Sequence, residues 1–232
     1  MPLNLLERFA FEQSLYHPSV FHRIIRPQLH RRNGNDPEAV HEDVLRTASQ
    51  PDAIKVLERN QELFQVPEEL KITVNGRKIT PFGTAAGMDK NGDALVPFSY
   101  VYGFQEPGTV VVNQRDGNKR PRVAVDGKLE DAWNAQGFPS KGLDYFKDKI
   151  VRFRFHMGDD PTIYVSVCGL PLSEERALEI AMEEMEKLLT TLNPYVNGFV
   201  WNPFSPNTAA LTRLRTHQIF RDTAELMKRL AP

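Results

Sequence analysis

The sequence contains a single cysteine, Cys168, in 232 residues. One cysteine cannot form an internal disulfide, which excludes a disulfide-stapled secreted fold and indicates a reducing compartment. No apolar run approaches the roughly 20 residues needed to span a bilayer. The first residues, MPLNLLERFAFEQ, lack the basic start and apolar centre of a signal peptide. We therefore expect an intracellular protein that is soluble or peripheral to a membrane.

Charge of one sign is not in excess either. The chain has 29 lysines and arginines against 30 aspartates and glutamates, and its isoelectric point is near 6.6. This balance gives no field that would attract nucleic acid, so we expect no nucleic-acid partner. The histidines show no metal-ligand spacing, which predicts no metal site. They are His17, His22, His30, His41, His156 and His217.

Apolar residues are abundant enough for a real core, at 41% of the chain. The length predicts one large domain, alone or with a small extension. Over the first 60 residues the apolar side chains recur at roughly helical spacing. Pro18 suits the first turn of a second helix, and we expect Pro27 to end or kink that helix. Asp36 and Pro37 suit the cap and first turn of another helix.

Strand signals follow the helical segment. KITVNGRKIT, residues 71–80, has two β-rich runs around Asn75-Gly76, which is a strong hairpin signal. RVAVDGKLE, around Asp126-Gly127, predicts a second hairpin. From residue 81 onward strand-like runs alternate with helical stretches, which indicates parallel βαβ units. The predicted strands are Phe82–Ala86, Phe104–Val112, Ile163–Val167 and Phe199–Trp201, and the clearest helices are Ser173–Leu192 and about Thr208–Leu230.

The number of these units limits the architecture. The alternation gives roughly four strand–helix units in about 150 residues, whereas a closed barrel of eight units typically takes about 250. The pattern therefore predicts either a small open α/β domain or half of a barrel.

The first candidate site is PFGTAAGMDKNG, residues 81–92. Ala85, Ala86 and Gly87 would let a flat ligand lie close to the backbone. Lys90 would add a positive charge at the carboxyl end of the strand, where barrel active sites lie. A tight strand-to-helix turn with a solvated lysine explains the same residues, because glycine-rich turns are common.

The second candidate site is VWNPFSPNT, residues 200–208. Asn202, Ser205, Asn207 and Thr208 place amides and hydroxyls in a short loop that two prolines stiffen. Such a loop can hydrogen-bond a planar polar ligand on several edges. The alternative is an ordinary turn in which asparagine and serine satisfy the backbone.

Taken together, the motifs resemble those of the dihydroorotate dehydrogenases. AAGMDKNG is similar to the family signature AAG(L/F)DKxGE, and GFQEPGTV (103–110), GNKRPR (117–122), NAQGF (134–138) and NPFSPNT (202–208) follow in family order. The resemblance implies an FMN enzyme of pyrimidine synthesis on a (β/α)8 TIM barrel, of which this chain would be the N-terminal half. It divides the chain into a helical extension, residues 1–65, and a partial FMN-binding barrel of four units, residues 66–232.

Two features resemble class 2, the quinone-linked enzymes. Ser205 stands where class 2 enzymes carry a catalytic serine and class 1 enzymes a cysteine. IIRPQLHRRNGNDPEAVHEDVL resembles the class 2 extension, which packs on the membrane and forms a tunnel for quinone. This implies quinone as electron acceptor and peripheral contact with the bacterial inner membrane, on its cytoplasmic side, or with the mitochondrial inner membrane. The amphipathic pattern of the helices suits such contact. A helical cap on the barrel is the alternative.

The resemblance also implies roles for single residues. Ser205 would remove the C5 proton of dihydroorotate while a hydride passes to the flavin. A serine needs a path for its own proton, which Thr208 could support while Phe138 screens it from solvent. The implied FMN contacts are Ala86, Gly87, Met88, Asp89, Lys90, Thr109, Ser166 and Asn202. The implied contacts with dihydroorotate or orotate are Lys90, Asn134, Ala135, Gln136, Gly137, Phe138, Asn202 and Asn207.

Some positions depart from the family pattern. Ala135 replaces the arginine of NRxGF, Pro139-Ser140 replaces an Asn-Asn pair, and Ser166 stands at a flavin-contacting asparagine. The family's C-terminal half, with its phosphate loops, has no counterpart here. We therefore expect open sheet edges that pair with such a half or with a second copy. Two other functions stay open: a non-catalytic remnant of the family, or another flavin oxidoreductase acting on a different planar substrate.

Overall fold

The computed structural model describes residues 4–126, 131–171, 175–203, 205–208, 211, 214 and 216–231. Its N-terminal part is helical, as the apolar spacing predicts. Asn4 and Glu7 cap the first helix by exchanging side-chain-to-backbone hydrogen bonds. The helices are α1 (Leu5–Tyr16), α2 (Pro18–Val20), a π-helical segment (Phe21–Ile25), α3 (Arg26–Arg32), α4 (Pro37–Ala48) and α5 (Pro51–Arg59).

Prolines at these helix starts behave largely as expected. Pro18 lies in the first turn of α2, and Asp36 caps α4 by accepting from the Glu38 N–H, with Pro37 in the first turn. Of the two outcomes predicted for Pro27, the end of the helix is excluded, because the helical backbone continues to Arg32, and the kink stays a prediction. The backbone bonding is π-type just before Pro27, with the Arg26 N–H donating to the Phe21 carbonyl. This interruption of the regular pattern occurs where a proline cannot donate its own hydrogen bond.

The rest of the chain alternates strands and helices. In order, the elements are two 3-10 turns (Gln61–Phe64 and Glu68–Leu70), β1 (Ile72–Val74), β2 (Arg77–Ile79), α6 (Leu95–Val101), β3 (Phe104–Gln105), β4 (Val123–Asp126), β5 (Asp131–Asn134), α7 (Leu143–Met157), β6 (Thr162–Val167), α8 (Ala177–Leu192), a 3-10 turn (Asn193–Tyr195), β7 (Gly198–Trp201) and α9 (His217–Leu230).

Both predicted hairpins are present. β1 pairs antiparallel with β2 around Asn75 and Gly76, which both have positive φ, as a two-residue turn requires. β4 pairs with β5, and Asp126 lies opposite Asp131. The hairpin predicted around Asp126-Gly127 is therefore confirmed, with its returning strand beginning at residue 131. The connection, residues 127–130, lies outside the described residues.

A parallel sheet in the order β3-β6-β7 forms the centre of the fold, which confirms the prediction of parallel βαβ units. Alternate residues of β6 are fully buried and pack against α7 and α8. This core contains Ile163, Val165 and Val167 of β6, Phe146, Ile150 and Phe153 of α7, and Met185, Leu188, Leu189 and Leu192 of α8. The fold is thus mixed α/β, with helices covering one face of the sheet.

Two predicted strands are shorter in the structure. The run Phe82–Ala86 contributes only one bridge, in which Gly83 lies beside the Phe104 ring, with no room for a side chain on that glycine. The run Phe104–Val112 keeps only β3 and a bridge at Val110. Pro107 and Gly108, with φ of 122° at the glycine, interrupt it.

Two predicted helices begin later than expected in the described residues. α8 starts at Ala177 because Arg176 has a left-handed backbone, with φ of 53°. Residue 173, where we expected it to begin, lies outside the described residues. α9 starts at His217, where the Thr216 side chain accepts from the Ile219 N–H.

Candidate active site

A cavity of about 300 Å³ lies where the chain leaves the parallel strands at their carboxyl ends. Both predicted clusters line it, together with the segment that follows β5. Its lining residues are Ala86, Gly87, Lys90, Gly108, Thr109, Asn134, Gln136, Gly137, Phe138, Pro139, Asn202, Ser205, Pro206 and Asn207. Its size is at the lower end of the range for small-molecule sites.

Four of the residues expected at the site do not line this cavity. The Met88 side chain is exposed, and Ala135 meets its neighbours through backbone hydrogen bonds. Asp89 is buried and its carboxylate accepts from the backbone N–H groups of Asp93 and Ala94 at 2.9 and 2.8 Å. Asp89 therefore holds the turn into α6, and burial raises its pKa. Ser166, the fourth, lies behind Thr109.

Small residues bring the backbone to the cavity wall. A side chain at Gly87 would meet nothing within 4 Å, so this glycine faces open space, at φ of 97°. The Gly87 N–H donates to the Gly108 carbonyl and the Gly108 N–H to the Asp89 carbonyl, both at 2.9 Å. A side chain at Gly108 would collide with the Ser166 carbonyl. These hydrogen bonds join the two segments directly, and Ala86, Gly87 and Gly108 present no large side chain to the cavity.

A chain of hydrogen bonds orients the Asn202 amide. Its Nδ2 donates to Thr109 Oγ1 at 2.8 Å, and Thr109 Oγ1 lies 3.0 Å from Ser166 Oγ. Ser166 is fully buried and therefore anchors this series of hydrogen bonds on the side away from the cavity. Because the Asn202 nitrogen is engaged, its carbonyl oxygen is the group that remains to accept a ligand N–H.

Ser205 and Thr208 form a buried hydroxyl pair. Their Oγ atoms lie 3.1 Å apart, with Thr208 as donor, and Ser205 is only 7% exposed. Ser205 nevertheless lines the cavity. The pair sits in the turn after β7 that the sequence singled out.

The segment at residues 134–138 is held in an unusual backbone conformation. Gly137 and Phe138 both have positive φ, 66° and 56°, a combination that costs free energy at a phenylalanine and clusters at functional sites. Asn118 fastens the segment by donating from Nδ2 to the Ala135 and Asn207 carbonyls at 2.8 and 3.2 Å. Sequence reasoning missed this role of Asn118, although its motif, GNKRPR, was noted.

Lys90 lies between this cavity and a second, larger one of about 690 Å³ that reaches to α4. Burial lowers the pKa of Lys90, against the opposing pull of Glu38 and Glu42. In the part of the chain that the structure describes, its ammonium group has no hydrogen bond or ion pair. A cation that is partly desolvated and unpaired favours an anionic ligand.

The helical segment is joined to the site by a buried ion pair. Arg122 Nε lies 3.1 and 3.0 Å from the two Glu38 carboxylate oxygens, and its Nη2 lies 2.8 Å from one of them. Burial would raise the pKa of Glu38, but the Arg122 hydrogen bond holds it below its ordinary value. The pair joins α4 to the GNKRPR loop.

The family model for dihydroorotate dehydrogenase matches residues 69–230. The chain belongs to the dihydroorotate dehydrogenase family. It is 33% identical over 205 residues to the dihydroorotate dehydrogenase (quinone) of Salinispora arenicola, covering 84% of this chain and 57% of that protein. The enzyme of the same name from Haemophilus influenzae strain 86-028NP is 30% identical over 200 residues, covering 83% and 56%.

Solved structures agree with this assignment. The dihydroorotate dehydrogenase of Eimeria tenella in complex with ferulenol has a TM-score of 0.67 and 25% identity, covering 84% of this chain and 50% of that chain. These neighbours belong to a TIM-barrel family. The chain spans about half the length of the curated relatives it matches. That it forms half of a barrel stays a prediction.

No described helix is long and apolar enough to cross a membrane. Among the same residues, no group of three or more histidine, cysteine, aspartate or glutamate side chains is placed to hold a metal ion.

Proposed function

We propose that this chain provides the dihydroorotate-binding side of an FMN-dependent dihydroorotate dehydrogenase that passes electrons to quinone. The observation that carries the proposal is that Lys90 of the 81–92 motif and Asn202 and Ser205 of the 200–208 motif line one cavity. Membership of the family supports oxidation of dihydroorotate in pyrimidine biosynthesis.

The cavity fits a flat cofactor ring. Ala86, Gly87 and Gly108 offer a surface without large side chains, and Thr109 and Asn202 provide hydrogen bonds at its edge. Lys90 supplies the positive charge that suits a reduced, anionic ring. When bound, FMN would supply the hydride acceptor. Met88, Asp89 and Ser166 would support this surface from behind or beside it.

The substrate would lie against the cavity's amides. The Asn202 carbonyl oxygen accepts a ring N–H, while the Asn134 and Asn207 side chains and Lys90 face the ring edge and carboxylate. The strained Gly137-Phe138 turn, together with Gln136, closes the other side. Ala135 and Pro139-Ser140 depart from the family pattern here, so the substrate contacts at this turn would rest on Asn134 and Gln136.

Ser205 would act as the base. A hydroxyl can donate and accept at once, so Ser205 can take the proton from substrate C5 while it passes its own to Thr208, and Thr208 would release its proton to a relay water. Both hydroxyls are buried, and Phe138 packs against the apolar cluster beside them. Because bulk water is excluded from the two hydroxyls, the proton would pass through Ser205 and Thr208 and not directly to the solvent.

The proposed function is tested by mixing the chain with FMN and dihydroorotate and following orotate by its absorbance. A chain that retains FMN but ignores dihydroorotate would instead be a different flavin oxidoreductase. A folded chain that retains no FMN would be a non-catalytic member of the family.

Lys90→Ala should weaken both FMN and orotate binding by about tenfold or more, because each loses a charged hydrogen bond. Flavin fluorescence measures the first affinity and the absorbance change of bound flavin the second. Lys147→Ala, at an exposed position on α7, removes the same charge and should change neither. If Lys90→Ala matched the wild type in both titrations, the 81–92 motif would not be part of the site.

We also propose that residues 1–65 form an extension that contacts a bacterial inner membrane or the mitochondrial inner membrane. Leu6 and Phe9 on α1 are 78% and 60% exposed, and Ile24 is also exposed. Such residues are expected to enter a lipid interface, which would bring quinone close to the site.

The double variant Leu6→Glu/Phe9→Glu should lose liposome binding, because two charges replace the side chains that enter the lipid. It should slow reduction of a lipid-dissolved quinone several-fold while leaving reduction of a soluble dye unchanged. Phe155→Glu, at a 93% exposed position on α7, is the matched control. Equal loss with both acceptors would show that these helices only stabilise the fold.

A further inference from the structure

The larger cavity, between α4 and the loops at residues 89–93, 114–122 and 139–141, is lined by charges. Seven lysines and arginines and five aspartates and glutamates face it, so cations exceed anions by two. Leu45 and Pro139 are its apolar residues. Most of the side chains that line it are charged, which suits a charged ligand.

Most of these charges are already paired. Arg120 and Arg122 bind Glu38 and Glu42, Arg46 binds Asp43, and Lys141 and Lys149 share the single carboxylate of Asp93, at 3.1 and 3.0 Å. The two lysines on one carboxylate leave one positive charge uncompensated at the rim. In the described part of the chain, Arg115 and Lys90 have no carboxylate partner at all.

Arg115 is the least satisfied of these cations. Its Nε is buried without a hydrogen-bond partner, and its terminal nitrogens have none among the described residues. The neighbouring Cys168 thiol does not neutralise it, because burial raises the pKa of that thiol to about 12. Two backbone hydrogen bonds to Ser140, of 2.8 and 2.9 Å, fix the position of Arg115. A buried N–H group without a hydrogen-bond partner is costly.

We propose that this cavity binds a small dianionic oxyanion, a phosphate group or a dicarboxylate, with Arg115 as its main ligand and Lys90 and Lys141 as neighbouring cations. Arginine suits this role because its planar fork of donors matches phosphate and carboxylate oxygens. The site adjoins the dihydroorotate cavity, because Lys90 and Pro139 line both, whereas Arg115 and Lys141 line only the larger one.

Isothermal titration of the full chain with inorganic phosphate and, in a second arm, with succinate tests the site at constant ionic strength. Neither arm needs dihydroorotate, quinone or turnover, so its outcome is independent of the proposed enzymatic function. We expect saturable binding of at least one anion, and the tighter one assigns the ligand to phosphate or dicarboxylate chemistry. Arg115→Gln should weaken that binding at least about tenfold, since a charged hydrogen bond is lost.

Arg152→Gln is the matched control, because Arg152 is exposed on α7, pairs with Asp148 and lies outside this cavity. It removes the same charge and should leave binding unchanged. Circular dichroism checks that each variant is folded. Should Arg115→Gln fail to fold, Lys141→Gln provides the second test, with an expected loss of several-fold. No saturable binding, or equal affinity in the folded variants and the wild type, would overturn the proposal.

Discussion

Ser205→Ala should lower the rate of dihydroorotate oxidation by about 10²- to 10⁴-fold, the usual contribution of a positioned base. Its effect should fall on kcat and not on orotate affinity, because the lost hydroxyl takes part in proton transfer. The Thr208 hydroxyl, 3.1 Å from Ser205, would lose its partner in the relay. Steady-state rates with a soluble dye as acceptor measure the loss independently of the membrane.

Three variants sharpen this result. Ser205→Cys should retain more activity than Ser205→Ala, since a thiol can still take up a proton. Thr208→Val keeps the shape of the relay residue without its hydroxyl and should give an intermediate rate. Ser14→Ala removes a hydroxyl that donates to the Phe11 carbonyl within α1, and its rate should be unchanged. Near-normal turnover of the folded, FMN-bearing Ser205→Ala protein would remove Ser205 from the role of base.

The features that could be predicted from sequence are local ones. Asp36 caps α4 and the Asn75-Gly76 turn closes its hairpin, because both depend on backbone preferences within four residues. The motif at residues 200–208 was likewise placed correctly after a strand, β7, and it lines one cavity with the motif at residues 81–92. The resemblance to the family motifs is what predicted that these two motifs belong to one site.

The features that could not be predicted depend on distant contacts. Asp89 belongs to a motif typical of the cofactor site, yet its carboxylate accepts two backbone hydrogen bonds in the turn that leads into α6. Phe82–Ala86 is strand-like in composition, but its described pairing is one bridge between Gly83 and Phe104. Backbone hydrogen bonds from the Gly103 N–H to the Phe82 carbonyl and from the Thr84 N–H to the Phe104 carbonyl flank this bridge. Asn118 joins two loops that lie 17 and 89 residues further along the chain. No local pattern signals such a contact.

Glu38 is another residue whose role depends on a distant contact and could not be predicted from the sequence. Among the variants proposed here, its removal is expected to lower the stability of the protein the most. In the sequence it is one of several acidic residues of a helix, whereas in the structure it is 4% exposed and pairs with Arg122, 84 residues away. Arg122 is also buried, and its Nη1 donates to the Asp116 and Asn118 carbonyls. The arginine is therefore held in place whether or not its partner is present.

Glu38→Ala should reduce the free energy of unfolding by about 3–5 kcal/mol, because it leaves the Arg122 cation buried without a counter-ion. Urea unfolding followed by circular dichroism measures this loss. Glu42→Ala is the matched control, since Glu42 is exposed and pairs with Arg120 at the surface. Such a pair contributes at most about 1 kcal/mol. Glu38→Leu/Arg122→Met, which removes both charges, should recover most of the stability.

The pH dependence gives an independent check on the same pair. Arg122 holds the pKa of Glu38 below its ordinary value in the folded protein. The pair therefore contributes its stability fully above the ordinary carboxyl pKa and loses it as pH falls through the lowered one. The stability difference between wild type and Glu38→Ala should be constant near neutral pH and shrink in acid. A difference that persisted unchanged in acid would show that Glu38 stabilises α4 by packing and not by its charge.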